Sequence, residues 1–173
     1  MKKTRVECIF QVGMVVRDID EKIKNWKELF EIDESTITYK CTKDLAGSGL
    51  FTNNYMGKPA EFWIRIAKFN LCDLEFELIE PLDKKGGDPF SDFLNSSGEG
   101  IHHINIKLED REGFIRTMEG KGIVPMTNGE IQGKLYAMYN LNSLLGIMLE
   151  CGSVVGGPKA KEYYKDHGPQ AQR

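Results

Sequence analysis

The strongest constraint on the fold is an internal repeat, because a strand, a helix and three further strands are predicted twice along the chain. When Gln11 is placed over His103, Asp18 falls on Asp110, since each aspartate lies seven residues further along. Both aspartates stand where a helix N-cap is expected. A βαβββ unit written twice predicts an α+β fold, in which two modules form a curled mixed sheet around a cleft with the helices on its outer face.

The first module is predicted over about residues 6–81 and the second over about residues 101–152. Residues 1–155 are therefore interpreted as one domain, and residues 156–173 as a C-terminal tail or short helix without an assigned function. The linker between the modules, residues 82–100, contains a short helical piece near residues 89–94. The predicted strands are 6–16, 36–41, 50–55, 61–69, 74–80, 101–108, 123–127, 135–139 and 145–150.

Turns in the second module are predicted from local composition. The Asn128-Gly129 pair is a strong hairpin signal. The segment 141–143 is predicted to be another turn. These two turns separate the last three predicted strands.

Composition excludes several classes of function. The chain has 173 residues, of which 40% are hydrophobic, enough for one domain with a core. Its formal net charge of -3 gives no electrostatic case for nucleic acid or an anionic membrane as a partner. No apolar run approaches the length of a membrane span, and the basic N-terminus is not followed by a signal-peptide core. Four scattered cysteines predict free thiols and a cytoplasmic location.

Two adjacent histidines open the first strand of the second module. Side chains alternate along a strand, so His102 and His103 are expected to point to opposite faces. His102 shares its predicted face with Ile104 and Ile106, which favours a buried core histidine. His103 shares its face with polar residues, which favours a ligand or catalytic role.

The same alternation selects four residues on the face away from the helices. These residues come from the first and last strands of each module, and they are Gln11, Glu77, His103 and Glu150. Their oxygen and imidazole-nitrogen ligands suit one divalent ion such as Zn²⁺, Ni²⁺, Co²⁺ or Mn²⁺. Taken singly, either glutamate is better explained as an ordinary polar residue on a wet concave face. Taken as a set from repeated strands, the four predict a metal site.

At this point the sequence resembles the vicinal oxygen chelate, or glyoxalase, superfamily, over roughly Val6 to Gly152. Methylmalonyl-CoA epimerases are the most similar members in overall sequence character. The segments that carry this resemblance are 12–18, 77–82, 88–94 and 98–104.

The resemblance places the four metal positions of the family on Gln11, Glu77, His103 and Glu150. Epimerases usually have histidine at the first position, whereas glutamine, glutamate, histidine and glutamate in this order are the ligand set of eukaryotic-type glyoxalase I. Resemblance to glyoxalase I implies that Glu150 is the catalytic base. Resemblance to the epimerases implies a second acid–base glutamate, for which Glu61 is the nearest candidate, although an ordinary glutamate at a strand end explains this residue better.

Three functions follow from these expectations. The first is a metal-dependent isomerase or epimerase that abstracts a proton next to a carbonyl, with an acyl-CoA as substrate. The second is a glyoxalase I-like lactoylglutathione lyase acting on the thiol adduct of a 2-oxoaldehyde. The third is a metal-free small-molecule binding protein of the same fold. The resemblance also implies a homodimer, and the lysines Lys84, Lys85 and Lys134 are interpreted as solvated.

Overall fold

The computed structural model describes residues 3–152, so the predicted tail at 156–173 lies outside the described residues. Within this range the chain forms ten strands and four α-helices. The strands are β1 (Val6–Val15), β2 (Thr38–Cys41), β3 (Phe51–Tyr55), β4 (Lys58–Ala60), β5 (Ile64–Leu71), β6 (Leu74–Pro81), β7 (Gly100–Leu108), β8 (Thr127–Ile131), β9 (Lys134–Leu141) and β10 (Ile147–Glu150). The helices are α1 (Ile19–Leu29), α2 (Pro89–Ser97), α3 (Arg111–Gly120) and α4 (Asn142–Leu145). None of these four helices has the length and apolar character that crossing a membrane requires.

All ten strands belong to one curled mixed sheet with the order β2-β5-β6-β1-β7-β10-β9-β8-β3-β4. The first module contributes β2-β5-β6-β1, and the second contributes β7-β10-β9-β8 in the matching order. Within each module the first strand is parallel to the last, and the antiparallel β1–β7 pair joins the modules. The prediction of an α+β fold built from repeated modules is therefore confirmed.

The first module contains a hairpin that the second module lacks. Strands β3 and β4 pair with each other, and β3 also pairs with β8, so the hairpin extends the edge formed by the second module. Strand β2, at one edge of the sheet, approaches the second module, since Nζ of Lys40 on β2 donates a hydrogen bond to Oε1 of Gln132 in the β8–β9 turn. The concave side is consequently a cleft with two facing walls.

Helices α1 and α3 cover the outer face. Asp18 and Asp110 cap them as predicted, each accepting a hydrogen bond from the backbone N–H three residues on. The apolar side of α1 packs on Phe69 and Leu78, and that of α3 packs near Tyr139. The hydrophobic effect holds both helices to the convex side, which leaves the concave side for polar chemistry.

Helix α2 instead lies on the concave side. Its Phe90 and Leu94 join Val15 and Ile79 in a third apolar cluster, on the same face of the sheet as Glu77. This cluster fills one end of the cleft with close-packed side chains. The polar residues of the concave face are thereby confined to the other end.

Three local predictions in the second module were wrong. Asn128 and Gly129 lie inside β8, where they pair with β3, and the hairpin turn is at Gln132-Gly133, both with positive φ. A Cβ on Gly129 would lie 1.9 Å from the carbonyl oxygen of Thr52, so the glycine permits close strand approach rather than a turn. The predicted strand at 123–127 begins only at its last residue, and the segment 141–143 leads into α4.

Candidate metal centre

A β-bulge places both histidines on the same side of the sheet. Gly13 pairs with His103 and Met14 pairs with Ile101, so His102 is an additional residue on β7. The Nδ1 atoms of the two imidazoles lie 3.0 Å apart. The expectation that the two side chains point to opposite faces was wrong, because strict alternation ends at a bulge.

His102 is a buried core residue, as predicted, and it also contacts His103. Its ring packs against Phe90 and Phe93 of α2, with centroids 5.3 and 4.9 Å away. Burial, with a smaller contribution from the neighbouring His103, lowers the pKa of His102 to about 3, so this ring is neutral. An imidazole that binds a metal through Nε2 carries its proton on Nδ1, and Nδ1 of His102 is placed to accept that proton's hydrogen bond.

Gly13 makes room for the ring of His103. A Cβ at this position would lie 2.0 Å from Cε1 and 2.4 Å from Nε2 of the imidazole, well inside van der Waals contact. The His103 side chain therefore crosses β1 at a residue without a side chain. Glycine at position 13 is required by this contact, while its φ angle is ordinary.

Three side chains converge where His103 crosses the strand. Nε2 of His103 lies 2.9 Å from Oε2 of Glu150 and 3.9 Å from Oε2 of Glu77. One ligand atom from each residue falls within 4.8 Å of the others, and all three side chains are buried. Nε2 makes no well-aligned hydrogen bond. A buried imidazole nitrogen between two carboxylates fits a divalent cation.

Gln11 lies on the same face, one diagonal step from His103. Its Nε2 donates to Oε1 of Glu75 at 2.6 Å, and its Oε1 accepts from Nδ2 of Asn105 at 3.1 Å. These two partners fix the orientation of the amide, so that its oxygen faces the second module. The oxygen retains a lone pair for a cation.

Lys68 connects the carboxylates of the first module. Its Nζ lies 2.9 Å from Oε1 of Glu75 and 3.1 Å from Oε1 of Glu77. Burial lowers the pKa of Lys68, but the charges of Glu77 and Glu75 outweigh this effect and raise it overall. Oε2 of Glu77 remains directed towards His103. The sequence analysis did not select Lys68, because no local pattern marks it.

The four predicted metal residues are related by the repeat. Gln11 pairs with Asn105 and Gly13 pairs with His103, so exchanging β1 and β7 carries Gln11 onto His103. Gly13 neighbours Glu77 and Asn105 neighbours Glu150, so the same exchange carries Glu77 onto Glu150. The site therefore lies on the pseudo-twofold axis between the modules.

The sequence of residues 10–137 matches the family model described as Glyoxalase/Bleomycin resistance protein/Dioxygenase superfamily. The chain belongs to this superfamily. The match covers most of both modules, including three of the four candidate metal residues, and it agrees with the resemblance found in the sequence. A comparison with curated protein sequences gives no significant match.

Solved structures have the same fold. Methylmalonyl-CoA epimerase from Mycobacterium tuberculosis is 17% identical, with 94% of this chain and 96% of that chain covered and a TM-score of 0.62. A variant of the Streptomyces coelicolor methylmalonyl-CoA epimerase in complex with 2-nitronate-propionyl-CoA is 17% identical, with 89% and 100% covered and a TM-score of 0.56. A hypothetical protein from Bacillus halodurans is 20% identical, with 87% and 94% covered and a TM-score of 0.55. At these identities the comparison establishes the glyoxalase-superfamily fold.

Glu61 lies away from the candidate metal centre. It is exposed in the segment before β5, whereas Lys68, seven residues further along, is the residue that faces Glu77 across the β5–β6 pair. A strand of that length spans about 20 Å. The structure therefore brings Glu77, His103 and Glu150 together with Gln11 beside them, but it does not bring Glu61 to them.

A cavity of about 430 Å³ opens beside the two histidines on the concave side of the second module. Met148 and Asn140 line one side of it, and Phe93 of α2 lines the other. Tyr55, whose hydroxyl donates to Asp92 at 2.8 Å, forms part of its wall. Mixed apolar and polar walls next to buried ionisable groups are typical of a small-molecule site.

Proposed function

We propose that this protein is a divalent-metal-dependent isomerase or epimerase that abstracts a proton next to a carbonyl group, similar to methylmalonyl-CoA epimerase. The observation that carries the proposal is the buried cluster of Glu77, His103 and Glu150, which lies beside a cavity large enough for an acyl group. The family and fold of the chain support the same class of chemistry.

The residues that would hold the ion are Gln11, Glu77, His103 and Glu150. Two carboxylates, an imidazole and an amide oxygen suit Zn²⁺, Ni²⁺, Co²⁺ or Mn²⁺. Such an ion, when bound, would polarise a carbonyl oxygen of the substrate and make the hydrogen on the adjacent carbon more acidic. Lys68 holds Glu77 and Glu75 in place, and Glu75 in turn orients the amide of Gln11.

Glu150 is the proposed base. Its carboxylate lies 2.9 Å from Nε2 of His103, which lines the cavity, and its strand also supplies Met148 to the cavity wall, which supports a role as base for a substrate bound there. The side chain is buried, with 8% of the residue exposed. The role of Glu61 as a second acid–base group stays a prediction drawn from resemblance.

An acyl-CoA thioester is the proposed substrate, because structurally similar epimerases are known in complex with acyl-CoA analogues. One observation favours a second candidate, a lactoylglutathione lyase of the glyoxalase I type. Gln11 occupies the position at which epimerases usually have histidine, and its amide is already oriented towards the second module. Activity with a CoA ester or with a hemithioacetal distinguishes the two.

We further propose a homodimer located in the cytoplasm. The dimer rests on the resemblance alone. Free cysteines at positions 8, 41, 72 and 151 support a reducing compartment.

The decisive experiment measures metal content per chain after purification without an affinity tag or chelator. The parent is expected to hold about one divalent ion, whereas the double variant His103→Ala, Glu150→Gln is expected to hold little. Glu109→Gln, an exposed glutamate on the same module, is the matched control and should retain the ion. Exchange of the α-proton of methylmalonyl-CoA in deuterated water then tests the reaction. A parent that takes up none of the four metals would overturn the enzyme proposal and favour a metal-free binding protein.

A further inference from the structure

We infer that Glu75 is a positioning residue of the candidate metal centre. It acts through Gln11, by selecting the oxygen of this amide as the ligand atom and by making that oxygen a stronger ligand. The inference rests on the proposed function, because it concerns the same metal centre. Glu75 is not one of the four proposed ligands, so its role is additional to theirs.

The side chain of Gln11 ends in two groups that differ in what they can bind. The amide oxygen offers lone pairs to a cation, whereas the NH₂ group only donates hydrogen bonds. A half turn of the amide exchanges the two groups without moving the rest of the side chain. Gln11 is buried, with 3% of the residue exposed, so its neighbours in the fold decide which group faces the centre.

Glu75 is the neighbour that makes this choice. Its Oε1 lies 2.6 Å from Nε2 of Gln11, and an ionised carboxylate only accepts hydrogen bonds. A turned amide would bring two oxygen atoms into contact at this point. Asn105 donates to Oε1 of Gln11 at 3.1 Å, but an asparagine amide can itself turn and pair with either orientation. The orientation of Gln11 is therefore set by the partner that can only accept.

Strand register and Lys68 hold Glu75 in this position. Gln11 and Glu75 are direct partners in the parallel β1–β6 pair, so their side chains lie next to each other on the concave face. Nζ of Lys68 donates to the same Oε1 of Glu75 at 2.9 Å and lies 3.1 Å from Oε1 of Glu77. One lysine thus supports both the partner of Gln11 and a second proposed ligand of the first module.

The same hydrogen bond strengthens the amide oxygen as a ligand. A neutral amide carries no full charge, so its strength as a ligand depends on the groups that polarise it. An N–H that donates to a carboxylate shifts electron density towards the amide oxygen, as a carboxylate partner raises the basicity of a metal-bound histidine. Hydrogen bonds to an ionised acceptor are also the stronger class. The contact with Glu75 therefore favours Gln11 as a ligand in both orientation and electron density.

The repeat supports this assignment. Exchanging β1 and β7 carries Gln11 onto His103, and each of these two residues has a hydrogen-bonding partner of its own. The partner of His103 is Nδ1 of His102 at 3.0 Å, and the partner of Gln11 is Glu75. The second module has Met148 at the position equivalent to Glu75. The two modules thus support equivalent ligand positions through different residues.

The affinity for Co²⁺, measured by competition with a chromophoric chelator, tests the inference in a double-mutant cycle. Glu75→Gln keeps the shape of the side chain, but its amide can donate as well as accept and no longer sets the orientation of Gln11. Its affinity should fall by about 10–100-fold. In the background of Gln11→Ala, which lacks the ligand, Glu75→Gln should cause no further loss. Glu109→Gln, at an exposed glutamate, is the matched control and should bind as the parent does.

The absorption spectrum of bound Co²⁺ is a readout that a purely structural role would leave unchanged. Loss of the ligand oxygen in Glu75→Gln should shift the visible bands towards those of Gln11→Ala. The double variant Gln11→Glu, Glu75→Gln keeps the net charge and reverses the hydrogen bond, since the new amide at position 75 donates to the new carboxylate at position 11. The second oxygen of that carboxylate remains for the ion, so affinity and spectrum should recover.

The outcomes separate this inference from the proposed function. A parent that binds no Co²⁺ overturns both the metal-dependent function and the role of Glu75. If the parent binds the ion and Glu75→Gln binds it equally well, only the role of Glu75 fails. An equal loss in the Gln11→Ala background would show that Glu75 acts through its charge or through Lys68, and would also overturn the inference. None of these readouts depends on catalysis, so an absence of α-proton exchange would count against the proposed reaction alone.

Discussion

The two modules present different walls to the cleft, although they are built on the same plan. The neighbour of Glu77 across the strands is Lys68, whereas the neighbour of Glu150 is Met138. Two residues before Glu77 stands Glu75, and two residues before Glu150 stands Met148. The first wall is charged and internally paired, while the second is mostly apolar around one histidine and one glutamate.

The proposed function gives Glu77 and Glu150 different roles because of this difference. Lys68 already contacts an oxygen of Glu77, so that carboxylate is held in place. Glu150 has no ammonium partner within residues 3–152 and contacts only His103 among charged groups. Under the proposed function, these surroundings give Glu77 the role of holding the ion and Glu150 the role of accepting the proton.

The largest expected effect comes from removing one or the other glutamate. Glu150→Gln should slow α-proton exchange by about 10²–10⁴-fold, because it removes the base. Glu77→Gln should mainly weaken metal binding and lower the metal affinity by about 10–100-fold. Exchange rates at saturating metal distinguish the two effects. Equal rate losses in both variants would contradict the division of roles between the modules.

Gly13→Ala tests how the first module accommodates the histidine of the second. The added methyl group overlaps the imidazole of His103 and should displace it, so metal affinity should fall by about 10–100-fold. Asn105, the equivalent residue in the second module, provides the control. Asn105→Ala removes a hydrogen bond to Gln11 but leaves the ring of His103 in place. Competition with a chromophoric chelator measures the metal affinity of both variants. A larger loss of affinity in Asn105→Ala than in Gly13→Ala would contradict the role given to Gly13.

His102→Leu tests whether the side chain of His102 orients His103 as well as packing in the core. Loss of the Nδ1 acceptor should weaken metal binding by about 10-fold, since His103 loses the partner that fixes its proton on Nδ1. His102→Gln keeps an acceptor oxygen and should recover most of the affinity. Equal affinities for the leucine and glutamine variants would show that the ring serves packing only.

The smallest effect concerns stability. Burial lowers the pKa of Lys40 to about 8, below its ordinary value of 10.5, so the folded state binds fewer protons than the unfolded state between these values. Stability should therefore rise with pH through this window, and Lys40→Met should remove the rise. At pH 7 this variant should be more stable than the parent by about 1 kcal/mol. Urea unfolding at pH 7 and pH 10 measures the difference, with Lys58→Met, at an exposed lysine on β4, as the control. If the free energy of unfolding of Lys40→Met still rises between pH 7 and pH 10 as it does in the parent, Lys40 does not cause the rise.

Local patterns in the sequence were sufficient for the outline of the molecule. The N-caps Asp18 and Asp110, the repeated order of strands and the shared face of Gln11, Glu77 and Glu150 all follow from signals that span a few residues. Alternation and helical spacing are properties of the chain within a single element, so they can be recognised without knowing which elements pack against one another. The α+β fold could be predicted for the same reason, whereas the superfamily was recognised by resemblance to known sequences.

The sequence by itself determined that Gln11, Glu77, His103 and Glu150 face the cleft, and the tertiary structure decided how these residues meet. Only the pairing of β1 with β7 shows the bulge that turns His102 towards His103, and only the pairing of β3 with β8 takes Gly129 out of a turn. The approach of Lys40 to the second module depends on the curl of the whole sheet. These contacts join residues distant in the chain, and their geometry is set by strand register and packing, which no local pattern encodes.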